Sequence, residues 1–473
     1  MKHWLIRASL SLAIASVSIG LTSPATAQVA PDVAAKVYEE ASPSLVVVQF
    51  TWTSEIRKLE LSAAGVVVTE DGVVMASLAA FNPQFPDEQL VDFKIIIPQQ
   101  GKDNEEVEAE FLGRDERYGV AYVKAKTKRD WKPMKFEAAE VGIGEPVVSV
   151  GMLPKAGGYK SYLTTAVVGA KIPEAVPQVL AMGSLGPIQS PVFNGKGAAV
   201  GLVSASPGQT PYLSTGQREL DERSQLLALT NPPRFYVPAS DFIAGLSDLP
   251  KAGEPLKLSY LGVREMKGLA KDVAEYYGLV DQPAIQLGDI VPGTPAAEAG
   301  LKRGAIITQL NGKPLERGSD PDDLPAIFGR TLLRMKVGEE VTLSVLPAKD
   351  QPTQDVKVTL GERPMRANLA KRYYAEDLGF GVRELVFDDI YERRLAEGEK
   401  GVAMTIVRPQ SAAESARLQG NEMITQLNGK PVTDLQQFTT DYETFRKASP
   451  KEAVVLVVKR EGREDTVRIE PPQ

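Results

Sequence analysis

The sequence predicts a multidomain chain: an all-β barrel or sandwich followed by two copies of a smaller unit. Three observations carry this. Between residues 45 and 240, short β-branched and aromatic runs alternate with turn residues, with almost no helical periodicity. The string ITQLNGKP then occurs twice, at residues 307–314 and 424–431, an offset of 117. The same offset carries Leu261-Gly262-Val263 onto Leu378-Gly379-Phe380 and Thr294 onto Ser411. Identity held in register over such a distance marks a duplicated domain. Each copy has a Leu-Gly-apolar step, a small-residue stretch, a strand ending in Asn-Gly, and a helix.

Residues 31–41 read as a short amphipathic helix that stops before Ser42-Pro43-Ser44. LVVVQF (45–50) is the first strand, and GVVVTEDGVVMAS (65–77) is a hairpin turning at Glu70-Asp71-Gly72. Further strand-like runs fall at 94–97, 107–111, 120–123, 146–151, 164–169 and 198–203. Phe235-Tyr236-Val237-Pro238 leads into a predicted helix over 239–246, and residues 250–255, rich in Lys, Gly and Pro, form a linker. The segment 365–376 between the repeats is charged and is expected to be helical. Asp320-Pro321-Asp322-Asp323 is an acidic insertion in the first copy. It reads as a loop and helix N-cap, because the spaced ligands and Gly of a calcium loop are missing.

The first 27 residues are expected to be an export signal. Lys2 and Arg7 flank a short basic region, residues 8–21 are apolar, and Ala25-Thr26-Ala27 offers a small-x-small cleavage site. An apolar run of about 14 residues falls short of the roughly 18 that a membrane span needs. The mature chain is thus expected to be exported, most simply to a periplasm, with no membrane span. Cleavage takes the net charge from −7 to −9, which weighs against nucleic acid as a partner. Cys is absent, so disulfides, thiol catalysis and thiolate metal sites are excluded. The single His is His3, within the signal, so the mature form lacks the usual neutral-pH base and the usual zinc ligand. No metal site or cofactor is predicted.

Four stretches carry a resemblance. They are Ala63-Ala64-Gly65 through Asp71-Gly72-Val73-Val74-Met75 to Ala76-Ser77-Leu78-Ala79, and Gly113-Arg114-Asp115-Glu116-Arg117-Tyr118-Gly119-Val120-Ala121-Tyr122-Val123-Lys124. The third is Gly186-Pro187-Ile188-Gln189-Ser190-Pro191 with Asn194 and Gly197, and the fourth is VPGTPAAEAGLKRG (291–304) leading into ITQLNGKP. In this order they resemble the HtrA/DegP family of exported serine proteases, over nearly all of the mature chain. The resemblance implies a trypsin-like double β-barrel over 28–245 and two α+β PDZ domains over 256–364 and 377–471. The second copy has lost two glycines and a proline of the motif, at Gln410, Ala412 and Arg417.

In that family the first stretch ends in T-N-A-H, the second reads G-R-D-x-x-x-D-L-A-V-L-K, and the third contains G-N-S-G-G-P. Here the His, Asp and Ser positions are Ala79, Gly119 and Ile188. None accepts, relays or donates a proton, and losing one such residue costs on the order of 10⁶ in turnover. Pro187 beside the nucleophile position also lacks the N–H that an oxyanion hole needs. The resemblance therefore implies a pseudoprotease. The alternative is an endopeptidase with displaced residues, such as a Ser190–Lys196 dyad or Ser184. In the simpler reading Ser190 is a loop residue and Lys196 belongs to the turn Asn194-Gly195-Lys196-Gly197.

PDZ domains add a peptide, usually a C-terminus, to a sheet edge. By resemblance, Tyr260-Leu261-Gly262-Val263 and Asp377-Leu378-Gly379-Phe380 are carboxylate-binding loops, where Gly permits the tight backbone. Leu324, Ile327 and Phe328, then Leu435 and Phe438, are candidates for the groove walls. Backbone pairing plus one filled pocket predicts about micromolar affinity, raised on the order of 10²–10⁴ if one ligand spans both sites. The expected partners are exported proteins or peptide C-termini, an active HtrA-type protease, and further copies of the chain.

Overall fold

The computed structural model describes residues 28–54, 57–99, 101–205, 209–222, 231–393, 395, 398–460 and 462–472; the predicted export signal lies outside them. The β-branched runs form strands β1 (Leu45–Thr53), β2 (Lys58–Val67), β3 (Val73–Ser77), β4 (Leu90–Ile97), β5 (Glu105–Asp115) and β6 (Val120–Ala125). Their order is β1-β4-β5-β6-β3-β2, and β2 pairs back onto β1 to close a barrel. Stacked phenylalanines fill it: Phe50 lies 4.8 Å from Phe81, and Phe93 lies 5.3 Å from Phe111.

A second barrel follows from β7 (Pro146–Met152), β8 (Ser161–Ile172), β9 (Gln178–Gly183), β10 (Pro191–Asn194), β11 (Ala199–Val203) and β13 (Phe235–Pro238), closed in the order β10-β11-β13-β9-β8-β7. The intervening β12 (Tyr212–Ser214) returns to pair with β2. Met75, Tyr122, Val148, Val150 and Phe193 form one apolar layer between the barrels, and the Pro31–Ala41 helix covers it with Val37 and Ala41. The double barrel is what the resemblance implied. The predicted helix over 239–246 is a single α-turn, Ala239–Phe242, continued as a tighter turn over Ile243–Ser247.

The repeats fold alike. The first contains β14 (Ser259–Tyr260), β15 (Val263–Gly268), β16 (Ile285–Ile290), β17 (Ile306–Leu310), β18 (Lys313–Pro314), β19 (Glu340–Leu346), β20 (Gln354–Thr359) and β21 (Gly361–Glu362). The second contains β22 (Arg372–Ala375), β23 (Phe380–Glu384), β24 (Val402–Val407), β25 (Met423–Leu427), β26 (Lys430–Pro431), β27 (Val454–Arg460) and β28 (Arg463–Ile469). The sheet orders β15-β16-β17-β19-β20 and β23-β24-β25-β27-β28 correspond strand for strand. In both, Asn-Gly makes a two-residue hairpin turn with positive φ at each position, 52° and 72° at Asn311-Gly312 and 48° and 79° at Asn428-Gly429. One helix packs on each sheet, Leu324–Leu333 and Leu435–Ala448. The acidic insertion forms a capped turn: Asp320 accepts from the Asp322 N–H and leads into the first of these helices.

The segment 365–376 departs from the expected helix. It contains β22, in which Tyr373 and Tyr374, both good strand formers, find a partner in β23. Among the described residues no helix is long and apolar enough to cross a membrane.

Candidate functional site

The first two family positions meet at the rim of the first barrel. Ser77 faces Val120 across β3 and β6, and the Leu78 N–H donates to the Gly119 carbonyl at 3.0 Å. The 186–190 loop is drawn against the same strand, because the Gln189 amide donates to the Met75 carbonyl at 3.3 Å. Ala79 and Gly119 are exposed, and Ile188 is buried. The Gly186 N–H donates to Ser149 Oγ (3.2 Å), the Gln189 N–H to Val203 O (2.8 Å) and the Ser190 N–H to Pro187 O (3.0 Å). These donors are therefore already taken up within the protein. Ser190 Oγ is buried and meets no partner among the described residues. Lys196 is exposed beyond the far end of β10, about 13 Å along the strand, so it does not serve Ser190. Burial pushes the nearby Tyr122 phenol well above its ordinary pKa, so it is no base at neutral pH.

In the first repeat β15 is the outermost strand of its sheet. The loop before it is fixed by its own carbonyls: Leu261 O accepts from the Ala296 N–H (2.8 Å) and Gly262 O from the Val291 N–H (3.0 Å). Gly262 has φ 92°, and a Cβ there would collide with Thr294, so the position requires Gly. Leu261, Leu324 and Phe328 share one apolar cluster, with Val263 and Met266 partly buried against it. Tyr260 is half-buried on β14 and faces Gly361. Ile327 lines a cleft against the second barrel with Ala175, Asp241 and Arg330. At the other end of β15, the Pro321 backbone presses onto Gly268 so closely that no side chain fits there.

The Leu324–Leu333 helix is also bound to the barrels. Arg330 and Arg334 grip Asp241 at 2.6 and 2.8 Å, Arg330 donates to Ala175 O at 2.7 Å, and both donate to Arg117 O. Burial draws the Arg330 pKa down while the Asp241 carboxylate opposes it, and the group remains a cation. Arg117 in turn holds the buried Asp115 (2.9 Å) and Asp248 (2.7 Å). Glu116 holds Arg363 (2.9 Å) and Arg366 (3.0 Å). Sequence reasoning missed this network. Its signal was two arginines at i and i+4 on an otherwise apolar helix, and four consecutive charges, Arg114 to Arg117, shortly before Gly119.

In the second repeat the loop has the same anchors: Leu378 O accepts from the Ala413 N–H, and Gly379 O from the Arg408 N–H. Leu378, Phe380, Leu435 and Phe438 are all buried in one cluster, and Gly379 has φ 79°. The edge of β23, however, carries β22, with Arg372 opposite Arg383 and Ala375 opposite Phe380.

A PDZ domain family model matches residues 287–345, within the first repeat. A probable periplasmic serine endoprotease, DegP-like, from Pseudomonas savastanoi pv. phaseolicola is 27% identical over 424 residues, covering 86% of this chain and 78% of its own. Similarly named proteins from Hahella chejuensis and Rhizobium meliloti are each 26% identical, covering 76% and 84% of this chain and 72% and 73% of theirs. Among solved structures, the HtrA-type protease AlgW with a decapeptide superposes with a TM-score of 0.51 at 15% identity, covering 70% of this chain and 99% of that one. Its tripeptide complex gives a TM-score of 0.50. Over most of its length the chain is thus similar to HtrA/DegP-type periplasmic endoproteases, and it has a trypsin-like double barrel and a PDZ domain match in its first repeat.

Proposed function

We propose that this chain is an exported, catalytically inactive HtrA-like protein that binds proteins or peptide C-termini through its first PDZ groove, in envelope protein quality control or as a scaffold or regulator. The observation that carries the reading is chemical: the three positions matched to the family's triad are Ala79, Gly119 and Ile188, in a chain with no Cys and no His beyond residue 3. An outermost β15 beside an apolar helix and a glycine-dependent loop supports peptide addition. The peptide-bound AlgW structure supports the same ligand class. The periplasmic naming of the relatives supports export, together with the 1–27 segment, and an active HtrA-type protease is a natural partner.

The relatives' names also favour a serine endopeptidase with displaced residues. That reading needs a base beside Ser190, which the buried, unpartnered Oγ does not support.

The mature protein incubated with fluorescein-labelled casein is expected to release no fragments, and to bind labelled peptides bearing a free C-terminal carboxylate more tightly than their amidated forms. Fluorophosphonate labelling that disappears in Ser190→Ala would overturn the inactive assignment. Equal affinity for acid and amide peptides would overturn the groove.

A further inference from the structure

We propose that the second PDZ groove is closed by the chain's own segment Arg372–Ala375, which lies where a peptide ligand would lie and keeps external peptides out. The proposal rests on reading these grooves as peptide sites, and it concerns the second alone.

Three features make β22 ligand-like. It runs antiparallel to β23, Arg372 opposite Arg383 through Ala375 opposite Phe380, with its C-terminal end at the Leu378-Gly379 loop. A bound C-terminal peptide has this direction. At that end the Ala375 carbonyl accepts from the Gly379 N–H at 2.8 Å, so a backbone oxygen occupies a donor that a terminal carboxylate would use. Tyr373 reaches the facing helix, its ring 6.4 Å from that of Phe438 and 5.9 Å from that of Tyr442. The turn is locked from outside: Asp377 accepts from the Tyr442 hydroxyl (2.8 Å) and from Arg446 (2.6 Å).

The first repeat shows why the second behaves this way. There the lead-in strand β14 pairs with β21, Tyr260 facing Gly361, and Leu258 O accepts from the Arg363 N–H. Across the sheets, Val341 faces Val358, and its counterpart Val454 faces Ile469. Leu360-Gly361 therefore correspond to Pro471-Pro472. Proline has no N–H for a ladder, so the second lead-in strand has lost its partner and turns back onto β23.

The probe is the segment itself as a free peptide, Lys-Arg-Tyr-Tyr-Ala with a C-terminal carboxylate, the first Tyr replaced by photoreactive benzoylphenylalanine. Cross-linked residues are located by mass spectrometry on the full mature chain. Closure lowers apparent affinity by the fraction of open grooves. With that fraction at about one tenth or less, Tyr373→Ala should raise cross-linking to the Leu435–Ala448 helix at least about tenfold over wild type. Cross-links on the Leu324–Leu333 helix report the first groove separately and should not change. Wild type cross-linking at Leu435–Ala448 as strongly as the variant would show an open groove and overturn the proposal. So would a variant that keeps amide protection in β25 and β27 yet gains nothing. A second variant replaces residues 371–375 with Gly and Ser. If both variants lose protection in β25 and β27, β22 is an indispensable strand rather than a displaceable ligand, and the proposal falls.

Discussion

In the first repeat the Leu258 carbonyl accepts from Arg363, whereas its counterpart in the second, Ala375, accepts from Gly379. Around this difference the two copies agree strand for strand, down to loop anchors at Thr294 and Ser411. The shared apolar pattern sets the sheet. The lead-in strand's partner is decided at the far end of the domain, where one copy has Gly361 and the other Pro472. The helices diverge in the same way. The first has its outer face on Asp241 of the double barrel, and the second has Tyr373 of its own lead-in strand against it. The first groove is thus mounted on the barrels beside an outermost β15, and the other is occupied from within.

The largest expected effect comes from cutting the first copy loose. Asp241→Ala leaves the guanidinium groups of Arg330 and Arg334 without their carboxylate in a largely buried site. Removing one partner of such a pair costs about 3–5 kcal/mol. The expected result is faster proteolysis within residues 250–258 and a lower urea midpoint for the barrels and first repeat, with amide protection in β23–β28 unchanged. An unaltered cleavage pattern would mean that the network does not mount the domain.

A paired substitution sharpens the contrast at the loops. Gly262 and Gly379 both have positive φ, and a Cβ at either meets Thr294 or Ser411. Strain of about 1–3 kcal/mol is therefore expected from Val at each. Gly262→Val should weaken binding of a carboxylate-terminated peptide at least about tenfold, or 1.4 kcal/mol, by calorimetry. Gly379→Val should leave that affinity within about twofold, because the peptide sits in the other groove. Equal losses would show that both grooves take ligand.

Much of this was legible in the residues. β-branched runs gave an all-β barrel or sandwich, the resemblance gave the pair of barrels, and the twice-written ITQLNGKP gave the duplication, because local preference and tertiary burial agree at those positions. The Leu78–Gly119 hydrogen bond sets the segment holding Ala79 beside Gly119, two positions the resemblance had matched. What could not be read depended on long-range partners. Ile327 fits a groove wall by helical spacing, and it also lines a cleft with Asp241, a neighbour that helical spacing alone does not show. Residues 365–376 look helical by charge alone, while the strand they contain exists only because β23 lies open beside it. A proline two domains' length from the start of the repeats gives no local signal of the pairing it removes.

The smallest effect concerns acid. Asp389 is buried in the second copy; burial raises its pKa, but a bidentate pair with Arg383 (2.6 and 2.8 Å), the Val386 N–H (2.8 Å) and Arg393 (2.9 Å) outweigh it and hold the carboxyl below its ordinary value of 3.8. A depressed folded pKa contributes stability that is present above the unfolded value and lost as pH falls through the folded one. The first copy has no such pair: its counterpart Asp272 is exposed, and Met266 stands where the second has Arg383. Between about pH 4 and pH 3, amide protection in β24 and β27 should therefore fall sooner than in β16 and β19. In Asp389→Asn the second copy should be less stable at pH 6 and lose little more on acidification. Parallel loss in both copies of the wild type would remove Asp389 as the cause.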